Sequence, residues 1–196
     1  MIWLKTWGRR TLQPVVSLLL KTGIHPNWIT GIGLFISLLS GTAFWRGSFR
    51  LAGILLAIAG IFDTLDGEVA KASKKESRFG AFLDSTLDRY GEFFLFFGIF
   101  LFYFERQARM PVLLTIIALV GSLFVSYLRA RSEGIGAGVR TGPLERPERI
   151  LLLLLAGLAG ERYFLYFLWV LAVLAHLTAI LRIREVYQKL KIKNQI

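Results

Sequence analysis

The chain's four aspartates, Asp63, Asp66, Asp84 and Asp88, all fall between positions 63 and 88 of a 196-residue sequence. The first pair is spaced i,i+3 and the second i,i+4, so on helices each pair shares a face. The flanking sequence is strongly apolar, and one charged side chain inside a bilayer costs roughly 2.5–3.5 kcal/mol. Four carboxylates brought together would also repel one another. A divalent cation between them relieves both penalties. Cys is absent, and the two histidines, His25 and His176, are far apart in sequence. The donors are therefore oxygens, which suit Mg²⁺ or Mn²⁺. Two such ions about 3.5–4 Å apart form a clamp for phosphoryl transfer.

The neighbours of the acids extend the pattern. Asp63, Asp66, Gly67, Ala70 and Lys71 form one helical stripe, and Gly80, Asp84 and Asp88 form a second. Two helices facing each other along these stripes would bring the four carboxylates together. Gly67, Ala70 and Gly80 lack bulk and leave room for a ligand. Lys71, at the mouth of the first stripe, is placed to meet phosphate charge. Ion pairing with Lys71, Lys74, Lys75, Arg78 or Arg89 would explain a single such acid at a helix end. It is a poorer explanation for four acids on two matched stripes.

The elements that carry these stripes are membrane helices. The chain is 55% hydrophobic with a mean hydropathy of +0.56, beyond the range of an ordinary soluble domain. Six apolar segments, roughly Trp28–Trp45, Leu51–Ala70, Phe79–Phe104, Pro111–Leu128, Ile150–Gly160 and Tyr163–Ile183, are read as spans of a ~30 Å bilayer. The fifth is short unless its helix begins near Glu145. The expected fold is thus all-α, six transmembrane helices preceded by an N-terminal amphipathic interfacial helix. Residues 1–24 are that juxtamembrane segment, with Trp3, Trp7, Leu12 and Val15–Leu20 among Lys5, Arg9, Arg10 and Lys21. Residues 25–190 form the membrane domain and 191–196 a basic tail.

Net charge is +11, and 19 of the 24 Lys and Arg fall on one side of the expected topology. That side faces the cytoplasm by the positive-inside rule, with both termini and all four aspartates. In so apolar a chain the partners of this charge are anionic lipid and phosphate-bearing substrates rather than nucleic acid. A divalent-cation transporter with an acidic transit site is the rival from another class. The small-residue frame and Lys71 favour a nucleotide diphosphate over a bare ion.

The string Asp63-x2-Asp66-Gly67-x2-Ala70-Lys71-x8-Gly80-x3-Asp84-x3-Asp88 resembles the signature of the CDP-alcohol phosphotransferase family. That signature is long and fixed in spacing. It usually has Arg where Lys71 stands, which keeps the charge but loses forked phosphate geometry. The resemblance implies transfer of a phosphoalcohol from a CDP-linked lipid donor to an acceptor hydroxyl, with release of CMP. It implies Asp63, Asp66, Asp84 and Asp88 around two metal ions, Asp88 also being the catalytic base. Asp66, Gly67, Ala70, Lys71 and Gly80 would frame CDP. Homodimerisation is implied in the same way.

A second cluster runs from Ser126 through Arg129 and Arg131 to Glu133, then Glu145-Arg146-Pro147-Glu148-Arg149. Together with Phe82–Arg89 it is similar to the branch of the family that makes phosphatidylinositol phosphate or its archaeal counterpart. In that branch the resemblance implies an acceptor-phosphate site at Ser126, Arg129, Arg149 and Arg182, although Lys often stands where Arg129 is. The expected reaction is therefore CDP-diacylglycerol plus inositol phosphate. The same chemistry with glycerol 3-phosphate, inositol or another alcohol remains the alternative. Arg131, Arg140 and Arg146 read equally well as topology markers contacting head groups.

Overall fold

The computed structural model describes residues 2–192, with side chains from Leu12 onward. The side chains of Trp3, Lys5, Trp7, Arg9 and Arg10 and the tail residues 193–196 lie outside the described residues, so the polar face expected of the N-terminal segment is not traced in full. Seven α-helices make up the described secondary structure: α1 (Ile2–Thr22), α2 (Pro26–Trp45), α3 (Phe49–Ala72), α4 (Arg78–Glu105), α5 (Arg109–Gly134), α6 (Arg146–Ala159) and α7 (Glu161–Ile192). Each of the last six covers one apolar segment read from the sequence. Three of them, α2, α5 and α7, are long and apolar enough to cross a membrane by length and composition. The acids and bases on α3 and α4 lower their hydropathy. α6 has 14 residues, which spans only about 21 Å.

Helix boundaries follow local chemistry. Pro26 occupies the first turn of α2, where a missing N–H costs nothing. The Ser77 hydroxyl accepts from the Gly80 N–H and starts α4. α6 starts at Arg146 with Glu145 preceding it and Pro147 in its first turn. The sequence could reach no closer than "near Glu145", because the apolar run itself begins only at Ile150.

Packing does not match the expectation of two acidic helices laid face to face. α3 and α4 each pack along α2, and neither forms an extended interface with the other. α2 and α4 touch backbone to backbone. A methyl group at Gly98 would meet the Gly41 carbonyl, and one at Gly41 would meet Phe94. α3 and α6 approach similarly at Gly53 and Gly157. These contacts fix α4 against α2 and α3 against α6. At the end of the bundle away from the acids, Phe44, Phe49, Phe102 and Phe164 form a buried nest with ring centroids 4.8–5.6 Å apart. At the acidic end, Leu12, Val16 and Leu19 of α1 pack against Ile29, Leu65 and Val69.

Candidate active site

The acids of α3 and α4 nevertheless converge. Asp63, Asp84 and Asp88 each present a carboxylate oxygen, and those oxygens all lie within 4.8 Å of one another. Asp63 is exposed, while Asp84 and Asp88 are half-buried. Asp66 stands outside this triad on the same stripe. It is buried, with the Thr30 hydroxyl of α2 within hydrogen-bonding reach. Asp66 Oδ2 and Asp84 Oδ1 are buried without a hydrogen-bond partner. Buried carboxylate oxygens are ordinarily satisfied, so these two atoms fit donors reserved for a cation. The donor set, carboxylates alone, fits Mg²⁺ or Mn²⁺.

The small residues of the signature differ in how open they are. Gly67 has nothing within 4 Å of the position a side chain would take, so the groove beside Asp66 is open there. Gly80 is tighter, with the Ser77 hydroxyl 3.0 Å from such a position. Lys71 is exposed and lies 3.8 Å from Glu68, free to reach toward an anion at the mouth of the groove.

The second cluster assembles from α5, α6 and α7. Arg149 is fully buried, and its Nη2 donates to Ser126 Oγ at 2.9 Å. Arg182 is also buried. Its Nε donates to Thr141 O at 3.0 Å and its Nη1 to Val125 O at 2.6 Å. Arg129 is more open and pairs with Glu133 at 3.2 Å. Arg129 and Arg149 are close enough to Arg182 to repel it electrostatically. One nitrogen each of Arg149 (Nη1) and Arg182 (Nη2) is buried without a hydrogen-bond partner. Unsatisfied buried guanidinium N–H groups in one neighbourhood are what a phosphate would complete.

The segment between α5 and α6 is strapped down so that these arginines hold their places. Leu144 N–H donates to Thr178 Oγ1 at 3.2 Å, Thr141 Oγ1 to Glu185 at 2.6 Å and Lys189 Nζ to Gly138 O at 2.8 Å. Lys189 and Thr141 together hold the Glu185 carboxyl below the usual carboxylate range.

Two further residues, outside the candidate set read from the sequence, join these clusters. Glu92, fully buried on α4, pairs with Arg149 and accepts from the Ser122 hydroxyl. It stands one turn beyond Asp88 and continues the stripe of Gly80, Asp84 and Asp88 by a further i,i+4 step, which is the signal in the sequence that marks it. Arg146, read equally as a topology marker, reaches into the acidic triad. Its Nη1 lies 3.1 Å from Asp63 Oδ1 and its Nη2 2.5 Å from Asp88 Oδ1.

The profile of the CDP-alcohol phosphatidyltransferase family matches residues 23–183. The chain belongs to that family and is a membrane-embedded transferase. It is 41% identical over 149 residues to the archaetidylinositol phosphate synthase of Pyrococcus horikoshii, an overlap of 76% of this chain and 77% of the relative. Its fold is similar to that of the Mycobacterium tuberculosis phosphatidylinositol phosphate synthase with CDP-DAG bound, with a TM-score of 0.84, 30% identity, and 91% and 94% of the two chains covered. The same mycobacterial enzyme in complex with manganese and citrate gives a TM-score of 0.83 at 30% identity, with 89% and 88% covered.

Proposed function

We propose that this chain transfers the phosphatidyl group of CDP-diacylglycerol to a hydroxyl of inositol phosphate and releases CMP. One observation supports this most: an acidic triad on α3 and α4 lies next to buried arginines with unpartnered nitrogens, Arg149 being paired with Glu92 one turn from Asp88. The first is suited to a cation-bound diphosphate, the second to an acceptor that carries its own phosphate. The names of the relatives point the same way.

In the reaction, Asp63, Asp66, Asp84 and Asp88 would hold two Mg²⁺ or Mn²⁺ ions, which would supply charge neutralisation for the diphosphate and the departing CMP. The open groove at Gly67, with Ala70, Gly80 and Lys71, receives the CDP moiety. Ser126, Arg129, Arg149 and Arg182 orient the acceptor phosphate, so the hydroxyl is presented rather than searching. The acceptor oxygen bonds to the β-phosphorus, the bond from that phosphorus to the CMP oxygen breaks, and the hydroxyl proton passes to Asp88. The helices α2–α7 are the six spans, with α1 at the interface and the site on the cytoplasmic side. A homodimer is the expected assembly.

The test is a panel of acceptors with CDP-diacylglycerol, scored by CMP release. Inositol phosphate should be preferred over free inositol, because a bare inositol leaves buried arginines unpaired. Equal use of free inositol, serine or glycerol 3-phosphate overturns the acceptor assignment. No CMP release with any alcohol would instead favour the transporter reading.

A further inference from the structure

Arg146 lies where a cation is needed. It is the first residue of α6, and its side chain is 28% exposed. Its two terminal nitrogens bridge Asp63 of α3 and Asp88 of α4, at 3.1 and 2.5 Å. These are two of the three acids whose oxygens meet within 4.8 Å. The forked guanidinium thus takes up carboxylate lone pairs from both helices. Asp84 Oδ1 and Arg146 Nε are left buried and unpartnered beside it, so the ion pair satisfies the cluster only in part. Asp88 is also the residue assigned to take the acceptor's proton. While Arg146 holds its Oδ1, that oxygen is neither a metal ligand nor a free base.

Resting on the metal-site reading above, we propose that Arg146 is a built-in counter-cation that exchanges with the metal. Without metal it neutralises Asp63 and Asp88 and keeps α3 and α4 from being driven apart by like charge. Metal entry displaces it and frees both carboxylates at the moment they are needed. The guanidinium and the divalent ion bind the same carboxylate oxygens, so each weakens the other by one coupling factor.

Mn²⁺ binding to the substrate-free, full-length protein in detergent measures this directly. Arg146→Gln should bind Mn²⁺ roughly five- to a hundred-fold more tightly than wild type. In chelator the same variant should melt at a lower temperature than wild type, and Mn²⁺ should raise its melting temperature by more. Arg146→Lys keeps the charge but cannot fork across two carboxylates, so it too should bind Mn²⁺ more tightly than wild type. Lys binding equal to wild type would reduce Arg146 to background charge and overturn the exchange. Unchanged or weaker Mn²⁺ binding by Arg146→Gln overturns it as well and leaves the metal site standing. Absence of Mn²⁺ binding by wild type overturns both the exchange and the metal-site reading. Should Arg146→Gln fail to fold, labelling of wild-type Arg146 by an arginine-specific dicarbonyl decides: labelling should rise when Mn²⁺ is added, and unchanged labelling overturns the exchange.

Discussion

Arg149 of α6 and Glu92 of α4 face each other, Nε to Oε1 at 3.0 Å and Nη2 to Oε2 at 3.3 Å, both side chains fully buried. The charge of Arg149 is therefore already compensated inside the protein. What it offers a ligand is its remaining Nη1 donor in a fixed orientation. Arg129 and Arg182 also have acidic neighbours, Glu133 at 3.2 Å and Glu145 at 4.0 Å. Glu92 costs its own desolvation, and the fork from Arg149 with the Ser122 hydroxyl offsets it.

Arg149→Ala should therefore do two things. It strands Glu92 as a buried unpaired charge, at about 3–5 kcal/mol of stability, read as a lower melting temperature in detergent. A double change of Arg149 and Glu92 to Met removes both charges and should largely restore the melting temperature. In that double variant the acceptor KM should rise or turnover fall by about ten- to a hundred-fold, with the KM for CDP-diacylglycerol much less affected. Unchanged acceptor kinetics there would rule out a role for Arg149 at the acceptor.

Chelator should abolish CMP release, and Mg²⁺ or Mn²⁺ should restore it. Carboxylates this close repel in a low-dielectric setting unless a cation stands among them. Full turnover in excess chelator would exclude the metal site.

Asp88→Asn and Asp66→Ala should separate chemistry from binding. As the base, Asp88→Asn should lose turnover while retaining much of its CDP-lipid binding. Asp66, buried beside the open groove at Gly67 with an unpartnered oxygen, should lose both when changed to Ala. Near-normal CMP release from Asp88→Asn would refute the base assignment, and equal loss of binding in both variants would make Asp88 a ligand first.

Glycine substitutions should sort by what stands opposite them. Gly98→Ala drives a methyl group into the Gly41 carbonyl and should destabilise by about 1–3 kcal/mol or more. Gly67→Ala has open space and should leave the melting temperature unchanged while weakening CDP-lipid binding. Loss of stability at Gly67 with none at Gly98 would contradict the packing described for α2 and α4.

Orientation is testable because the chain has no Cys. A single Cys at Lys75, exposed in the turn between α3 and α4, should react with an impermeant thiol reagent only after cells are opened. One at Ser48, exposed between α2 and α3, should react in intact cells. The reverse pattern would invert the topology.

The sequence by itself determined the helices and the acids. Six apolar runs have helices within a few residues of where they were read, because hydrophobicity, Pro26, Ser77 and Pro147 act locally. The stripes 63-66-67-70-71 and 80-84-88 were equally local, since helical periodicity alone aligns them. Tertiary structure decided which partners they meet. That α3 and α4 lean on α2 rather than on each other follows from the Gly41–Gly98 approach, and a glycine does not announce its partner. Asp66 takes its hydroxyl neighbour from Thr30 on α2, which no spacing within α3 could reveal. Arg146 and Arg149, one helical turn apart in one short motif, part ways entirely: one reaches the acids that precede it by 83 and 58 positions, the other is bound by Glu92. Charge is written in the sequence, but the partner that compensates a charge in a low-dielectric interior is chosen by which helices the packing brings within hydrogen-bonding distance.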